Sequence, residues 1–514
     1  MFKIDTARFR FSGPPAADPN APASPPTLLT VRTPLENYLN KYGTPSKDSP
    51  LPPPTVGVTA LTHECTFEWN SYTSKDDPIR GMISVQAGMD VQPISGDLKL
   101  AIIWVLDISG SMEKNQRLAM AKSAVSYALE KTPVGHKFCV ITFESKVEVL
   151  VPMQVQTADK QSSAQAVTNS INPLKTKEAT DLCGGVIKAL DEVLKLDTTK
   201  EIPQIILLTD GEPTAGVTDH GQILENVRAH PAWPRVSLTC VGCGTGVQYE
   251  LLNSLSSASC AGAVWSVDQS EKIPGVIGGI FGSLTTTAAR DLELAIFSDR
   301  LTIFSSGGGQ VVRKANHHVV RWSRLAYQQT RHVLFEMKGV ATDAKDMLIA
   351  VMMGYLDLNK NQEIVVTRGF FPSFTPVPYR QFSETYVTQK FNVEAASYML
   401  QKSTAKLEEW EKTVRVLPAS LQKLLAETTE DVQASIRLIK NNETDRLSSY
   451  ARATTTHEGA SASGYSLMSR AAAVTSKEFA ERCARAAGRA ASTIVVRCDA
   501  NIVRCDPNAM KISH

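Results

Sequence analysis

The residues in this chain best suited to chemistry begin at the end of one short apolar run. Residues 101–112 read A-I-I-W-V-L-D-I-S-G-S-M, which sets Asp107, Ser109 and Ser111 at alternate positions with Gly110 between the two hydroxyls. A carboxylate and two neutral hydroxyl oxygens are hard ligands, suited to Mg²⁺, Mn²⁺ or Ca²⁺ and poorly suited to zinc. By themselves Asp and Ser at such a place are ordinary helix caps and turn formers. What distinguishes the two readings is whether other loops bring matching oxygens to the same spot.

The element that must position Asp107 is the run Ala101–Leu106, short and apolar enough to be a strand buried on both faces of a parallel sheet. Ligand sites of such sheets lie outside the carboxyl ends of the strands, so Asp107 and the hydroxyls belong at a crevice there, expected to face solvent. A regular alternation follows. The pattern predicts helices over Asn115–Lys131, Ala158–Ile171, Leu182–Leu194, Asp219–Ala229 and Tyr249–Leu255, and one from about Glu271. It predicts strands over Phe138–Phe143, Val147–Val151, Gln204–Thr209, Val236–Val241 and Ala263–Ser266. Only E-S-K joins the first two of these strands, too few residues for a crossover, so that pair must be antiparallel. Right-handed crossovers elsewhere give an α/β fold with a doubly wound, mostly parallel sheet. Two more loops reach the same sheet edge. K-E-A-T-D-L-C-G-G-V places Thr180 just before a helix, and L-L-T-D-G-E-P-T places Asp210 at a strand tip.

D-x-S-x-S, a Thr heading a later helix and an Asp in T-D-G together resemble the metal-ion-dependent adhesion site (MIDAS) of von Willebrand factor A (VWA) domains. The resemblance covers roughly Lys99–Ala289 and rests on three separated loops in the right order. It implies that Ser109, Ser111 and Thr180 supply hydroxyl ligands to Mg²⁺ (or Mn²⁺ or Ca²⁺), with Asp107 and Asp210 close by, often acting through bound water. It also implies a protein partner that presents a Glu or Asp to the ion.

The A domain, 99–289, reads as an insertion. Residues 56–98 hold V-G-V-T-A-L, C-T-F-E-W-N and G-M-I-S-V-Q-A, three strand patterns too few to fold alone. Residues 290–378 alternate in the same way, and the two segments are expected to join in one discontinuous β-sandwich. Similar arrangements occur in intracellular proteins that pair an A domain with a RING finger, and in inter-α-trypsin inhibitor heavy chains. The RING spacing itself is absent here, since Cys483, Cys498 and Cys505 stand too far apart. Residues 1–55 are proline-rich and read as a disordered arm, with a short helix at Arg32–Tyr42. Residues 379–453 carry two apolar stripes either side of Pro418 and read as an α-hairpin packed on the sandwich. In 454–514 a low-complexity stretch precedes an Ala- and Arg-rich helix, Ser466–Ala491, read as a solvated basic face, and a tail.

Composition narrows the rest. A net charge of +2 gives no general attraction to nucleic acid, and no apolar run approaches the ~18 residues of a membrane span. The first ten residues contain no apolar core of a secretory signal, and nine scattered cysteines do not suggest a disulfide framework. A cytoplasmic protein is expected. Cys240 and Cys243 form a lone C-x-x-C with no second half at finger spacing, and His317–His318 lies inside a strand pattern. No nucleophile has a partner base, so the expectation is a non-enzymatic binding or scaffold protein. The alternative is a substrate-recruiting component of a ubiquitin-ligase-like assembly whose catalytic module is on another chain.

Overall fold

The computed structural model describes residues 10–12, 34–42, 44–46, 61–68, 79–88, 94, 97–233, 236–244, 247–259, 262–267, 270–298, 301–307, 309–314, 317–337, 349–370, 379–442, 444, 447–456, 460–461, 464–465 and 470–486. The chain divides into two compact units. One comprises Met1–Asp90, Thr287–Leu325 and Gln329–Lys390; the other comprises Val91–Thr286, Ala326–Gln328 and Phe391–His514.

In chain order the first unit begins with β1 (Arg10–Ser12), α1 (Pro34–Tyr42), β2 (Thr44–Ser46), β3 (Leu61–Glu68) and β4 (Ile79–Ala87). The second unit then runs β5 (Lys99–Asp107), α2 (Arg117–Lys131), β6 (Lys137–Phe143), β7 (Val147–Val155), α3 (Lys160–Ile171), α4 (Leu182–Val193) and β8 (Glu201–Thr209). It continues with α5 (His220–Ala229), β9 (Ser237–Cys243), α6 (Tyr249–Ala258), β10 (Ala263–Val267) and α7 (Ile273–Thr285). The six strands order as β10-β9-β8-β5-β6-β7, all parallel except β7, which runs antiparallel to β6. The predicted alternation is therefore observed, with ends that differ by a few residues. Strand β5 lies at the centre, and its residues from Leu100 to Leu106 are almost wholly buried, which is why the run carries no polar alternation. Helices α4, α5 and α6 cover one face through Val186, Leu190, Ile223, Leu252 and Leu255, packed on Ile103, Val105, Ile205 and Leu207.

The chain then returns to the first unit as β11 (Thr287–Phe297), β12 (Leu301–Ser305), β13 (Gln310–Arg313), β14 (His317–Ala326), β15 (Thr330–Met337), β16 (Ile349–Asp357) and β17 (Gln362–Phe370). Two antiparallel sheets result, β13-β14-β11-β16-β17 and β12-β15-β4-β3. The early strands do find partners in the later segment: β4 pairs with β15 from Ile79↔Met337 to Gln86↔Thr330. Opposite Gly81 stands Phe335, fully buried, in the space a larger residue would fill. The predicted strand V-G-V-T-A-L lies outside the described residues except for Leu61.

One expectation is met and two require correction. The short helix expected at Arg32–Tyr42 is observed as α1, seated on the five-stranded sheet. Leu35 is buried against Ala295, Val319 and Met352, and Gly354 admits it, since a Cβ there would meet Leu35 N at 2.8 Å. Arg321 Nη2 donates to Glu36 Oε1 at 2.7 Å, fixing the register. The rest of 1–55 lies outside the described residues apart from β1, β2 and α1.

The first correction concerns the helices after the sandwich, α8 (Tyr379–Leu400), α9 (Thr404–Arg415), α10 (Ala419–Leu424), α11 (Ala426–Lys440) and α12 (Leu447–Thr456). From Phe391 onward they belong to the unit of the parallel sheet, not to the sandwich. They carry their own core of Met399, Leu407, Trp410, Val432 and Tyr450, and Asn253 of α6 donates to Ser448 at 3.0 Å.

Second, the short pair β18 (Ala460–Ser461) and β19 (Gly464–Tyr465) leads to α13 (Arg470–Ala486), which is not simply a solvated basic face. Phe479, Ala480 and Cys483 are buried, Phe479 meeting Tyr127 edge-on at 4.6 Å and Phe281 at 5.8 Å. Arg482 lies over the Tyr127 ring and pairs with Glu130 at 2.9 Å, so part of its charge is used in docking.

Candidate metal centre

In the parallel sheet the chain leaves β5 for β6 on one side, while β8 flanks β5 on the other. The switch point lies at the carboxyl ends of β5 and β8, where the crossovers diverge and leave a crevice. Asp107 ends β5, and Asp210 follows the last residue of β8, two strands hydrogen-bonded as far as Leu106↔Leu208.

Around these carboxylates the oxygens interlock. The Ser109 amide donates to Asp107 Oδ1 at 2.8 Å, and Thr209 Oγ1 donates to Asp107 Oδ2 at 2.6 Å. Ser109 Oγ and Ser111 Oγ lie 3.0 Å apart, and Ser111 Oγ donates to Asp210 Oδ1 at 2.6 Å. Thr180 is brought in by its backbone. Its amide donates to Thr214 Oγ1 at 3.0 Å, its carbonyl accepts from the amides of Thr214 and Ala215, and Asp181 N donates to Glu144 O at 2.6 Å. Asp181 also caps α4, accepting from Gly184 N at 2.9 Å, so the helix start fixes the threonine before it. The loop carrying Thr180 is tied to the D-x-S-x-S loop where Lys177 N donates to Ile108 O at 2.8 Å.

All five predicted residues thus reach one place. A Cβ on Gly211 would lie 3.4 Å from Ser111 Oγ and 3.8 Å from Thr180 Oγ1, so these hydroxyls flank a space that glycine leaves clear. Two carboxylates and three hydroxyls, with no nitrogen or sulfur, form a donor set that fits a hard divalent cation. Among the described residues no group of three or more His, Cys, Asp or Glu converges as an alternative metal centre.

The expectation that Asp107 faces solvent is corrected. It is 0 % exposed, with Ser109, Thr180 and Asp210 also buried; Ser111 is half-buried and Gly110 exposed, forming the outer rim. Burial pushes the Asp107 carboxyl up to about 6, a rise that the hydrogen bonds from Ser109 and Thr209 oppose and the charge of Asp210 reinforces.

Two participants went unrecognised in the sequence. Thr209 had a signal, standing immediately before Asp210 in T-D-G, but its role depends on β8 lying against β5. Arg117, at the start of α2, donates from Nη1 to Asp210 Oδ2 at 2.6 Å. No local spacing announces that contact. The other residues singled out take structural roles. Cys240 and Cys243 are buried in β9, with burial pushing the Cys243 thiol up to about 12. His317 is buried and stacked on Phe297 at 4.6 Å.

A central parallel sheet with one antiparallel edge, and this oxygen cluster at its switch point, define a von Willebrand factor A-type fold. The sequence model of the von Willebrand factor type A domain matches residues 102–212, and the chain carries that domain. Human inter-alpha-trypsin inhibitor heavy chain H1 is 32% identical over 162 residues, 30% of this chain and 17% of the relative. The heavy chain H1 of Bos taurus is 30% identical over 200 residues, 38% of this chain and 21% of the relative. The matched part therefore spans about a fifth of the length of these relatives. Among solved structures, a von Willebrand factor type A protein from Catenulispora acidiphila superposes with a TM-score of 0.51. It has 14% sequence identity and covers 74% of this chain and 89% of that one, a likeness of fold. Von Willebrand factor A domains are typically protein-interaction modules, often bind a divalent metal, and are a non-enzymatic kind of protein. Among the described residues no helix is long and apolar enough to cross a membrane.

Proposed function

We propose that this chain is a protein-binding scaffold whose A domain holds Mg²⁺, or Mn²⁺ or Ca²⁺, and captures a Glu or Asp of a protein partner. The observation that carries the reading is the convergence of Asp107, Ser109, Ser111, Thr180 and Asp210 at the β5–β8 switch point. Ser109, Ser111 and Thr180 would hold the ion through neutral oxygens, and Asp107 and Asp210 would supply the compensating charge. A bound cation supplies a Lewis-acidic position open to one more anionic oxygen. The half-buried Ser111 and exposed Gly110 form the outer rim, which supports an approach of the partner side chain from that side. A reducing, cytoplasmic setting accords with Cys139, Cys183, Cys240, Cys243 and Cys483, all buried free thiols.

The test is affinity capture with the full chain in Mg²⁺ and in excess EDTA, read by mass spectrometry, with Asp107→Ala alongside. Partners lost both with EDTA and with Asp107→Ala are expected. Partners retained under both conditions would contradict the reading. A cation-dependent catch dominated by ubiquitin-pathway proteins would assign the scaffold to substrate recruitment in a ligase-like assembly.

A further inference from the structure

Arg117 is a third charge in the oxygen cluster, and it is built in. Its guanidinium donates to Asp210 Oδ2 at 2.6 Å, with the Asp210 side chain fully buried and that of Arg117 13% exposed. The other side of the guanidinium rests on Gly244, just beyond β9. That glycine has φ +106°, and a Cβ there would lie 2.3 Å from Arg117 Nη2 and 2.6 Å from Cζ. Only glycine leaves this slot open and adopts such a φ readily. The approach from the other direction is also specified. Asn115 and Gln116, at φ 53° and 59°, are consecutive left-handed residues immediately before Arg117, a conformation that non-glycine residues seldom enter. They turn the chain out of the short helical stretch Gly110–Gln116 so that α2 begins at Arg117.

We infer that Arg117 is an internal counter-cation of the metal centre, weakening cation binding and strengthening the demand for an acidic partner ligand. The inference rests on the metal reading above and deepens it. With Arg117 on Asp210, ionised Asp107 and Asp210 leave the cluster one net negative charge. A divalent ion added to that set leaves one net positive charge, which a single partner carboxylate neutralises. Without Arg117 the two carboxylates alone would balance the ion, and the loaded site would have less need of an external anion. Arg117 also competes directly for Asp210, because an oxygen engaged by a guanidinium is less available to a second cation.

The test is Mn²⁺ titration of the full chain by isothermal calorimetry, with thermal melts of every protein. Arg117→Gln is expected to bind Mn²⁺ about tenfold more tightly than wild type, the low end of the one to three powers of ten by which a neighbouring opposite charge alters a carboxylate's affinity for a proton. Arg117→Met, which keeps the aliphatic stem, is expected to do the same and serves if the Gln variant folds poorly. Arg117→Lys restores the charge and is expected to return the affinity close to wild type, which a purely structural role for the arginine would not require. Equal or weaker Mn²⁺ binding by well-folded Gln and Met variants, beside a wild type that binds, would overturn the role of Arg117 and leave the metal reading intact. No saturable Mn²⁺ binding by any of the proteins, wild type included, would overturn both.

Discussion

In the parallel-sheet unit the buried polar side chains of Asp107, Ser109, Thr209 and Asp210, with Ser111 and Arg117, hydrogen-bond largely to one another at one sheet edge. The antiparallel unit also buries polar groups, but in small contacts at separate places. Glu293 pairs with Arg321 at 2.5 Å, His317 stacks on Phe297, His332 Nδ1 lies 2.9 Å from Ser84 Oγ, and Asp357 Oδ1 accepts from the amides of Asn359 and Lys360. A dispersed polar group with its own neighbour completes a fold and explains itself. In the cluster, burial and the nearby charge of Asp210 raise the Asp107 carboxyl while Arg117 pairs with Asp210, an arrangement that accords with the proposed cation site. Buried polar side chains are thus concentrated at one sheet edge in the parallel-sheet unit and spread over separate contacts in the antiparallel unit.

The largest effect expected in the antiparallel unit comes from its packing. Phe335→Ala removes a fully buried ring from the face of β15 opposite Gly81, and should cost about 3–5 kcal/mol in urea denaturation. The same variant should leave Mn²⁺ binding unchanged, because the oxygen cluster lies in the other unit. A cost below about 1 kcal/mol would show that this sheet's stability does not rest on that contact.

A smaller effect is expected from pH. Burial holds His332 down at about 4, against 6.5 for an unperturbed histidine. Between those values the unfolded chain binds a proton that the folded chain refuses, so this stability is complete above pH 6.5 and declines as pH falls towards 4. The full decline is of order 3 kcal/mol, at about 1.4 kcal/mol per unit. Denaturation midpoints measured across that range should fall, and should fall less in His332→Gln. An identical acid response in the variant would place the sensitivity elsewhere, with His136 and His317, also held at about 4 by burial, the next candidates.

Much of the parallel-sheet unit was legible in sequence because β5 is buried on both faces, and Ala101–Leu106 therefore shows its burial as an unbroken apolar run. The candidate site was legible for a related reason: strand ends and helix starts can be located, and the three oxygen-bearing loops occupy them. Thr209 and Arg117 were not legible in their roles. The first depends on β8 lying beside β5, and the second on two consecutive left-handed residues, of which Asn115 is a type that tolerates that conformation and Gln116 is not. The docking of α13 was equally hidden, since Phe479 is one aromatic in an Ala- and Arg-rich stretch and its receptors, Tyr127 and Phe281, are far away in sequence. Leu35 on Gly354 is the same case in the other unit: a glycine inside a strand signals a close approach, but not by which residue.

The central claim, that the cluster at the β5–β8 edge is a divalent-cation site, is tested most directly by calorimetric titration of wild type and Asp107→Ala with Mn²⁺. Saturable heat is expected for wild type and none for a folded Asp107→Ala. Equal heats from the two proteins would contradict it.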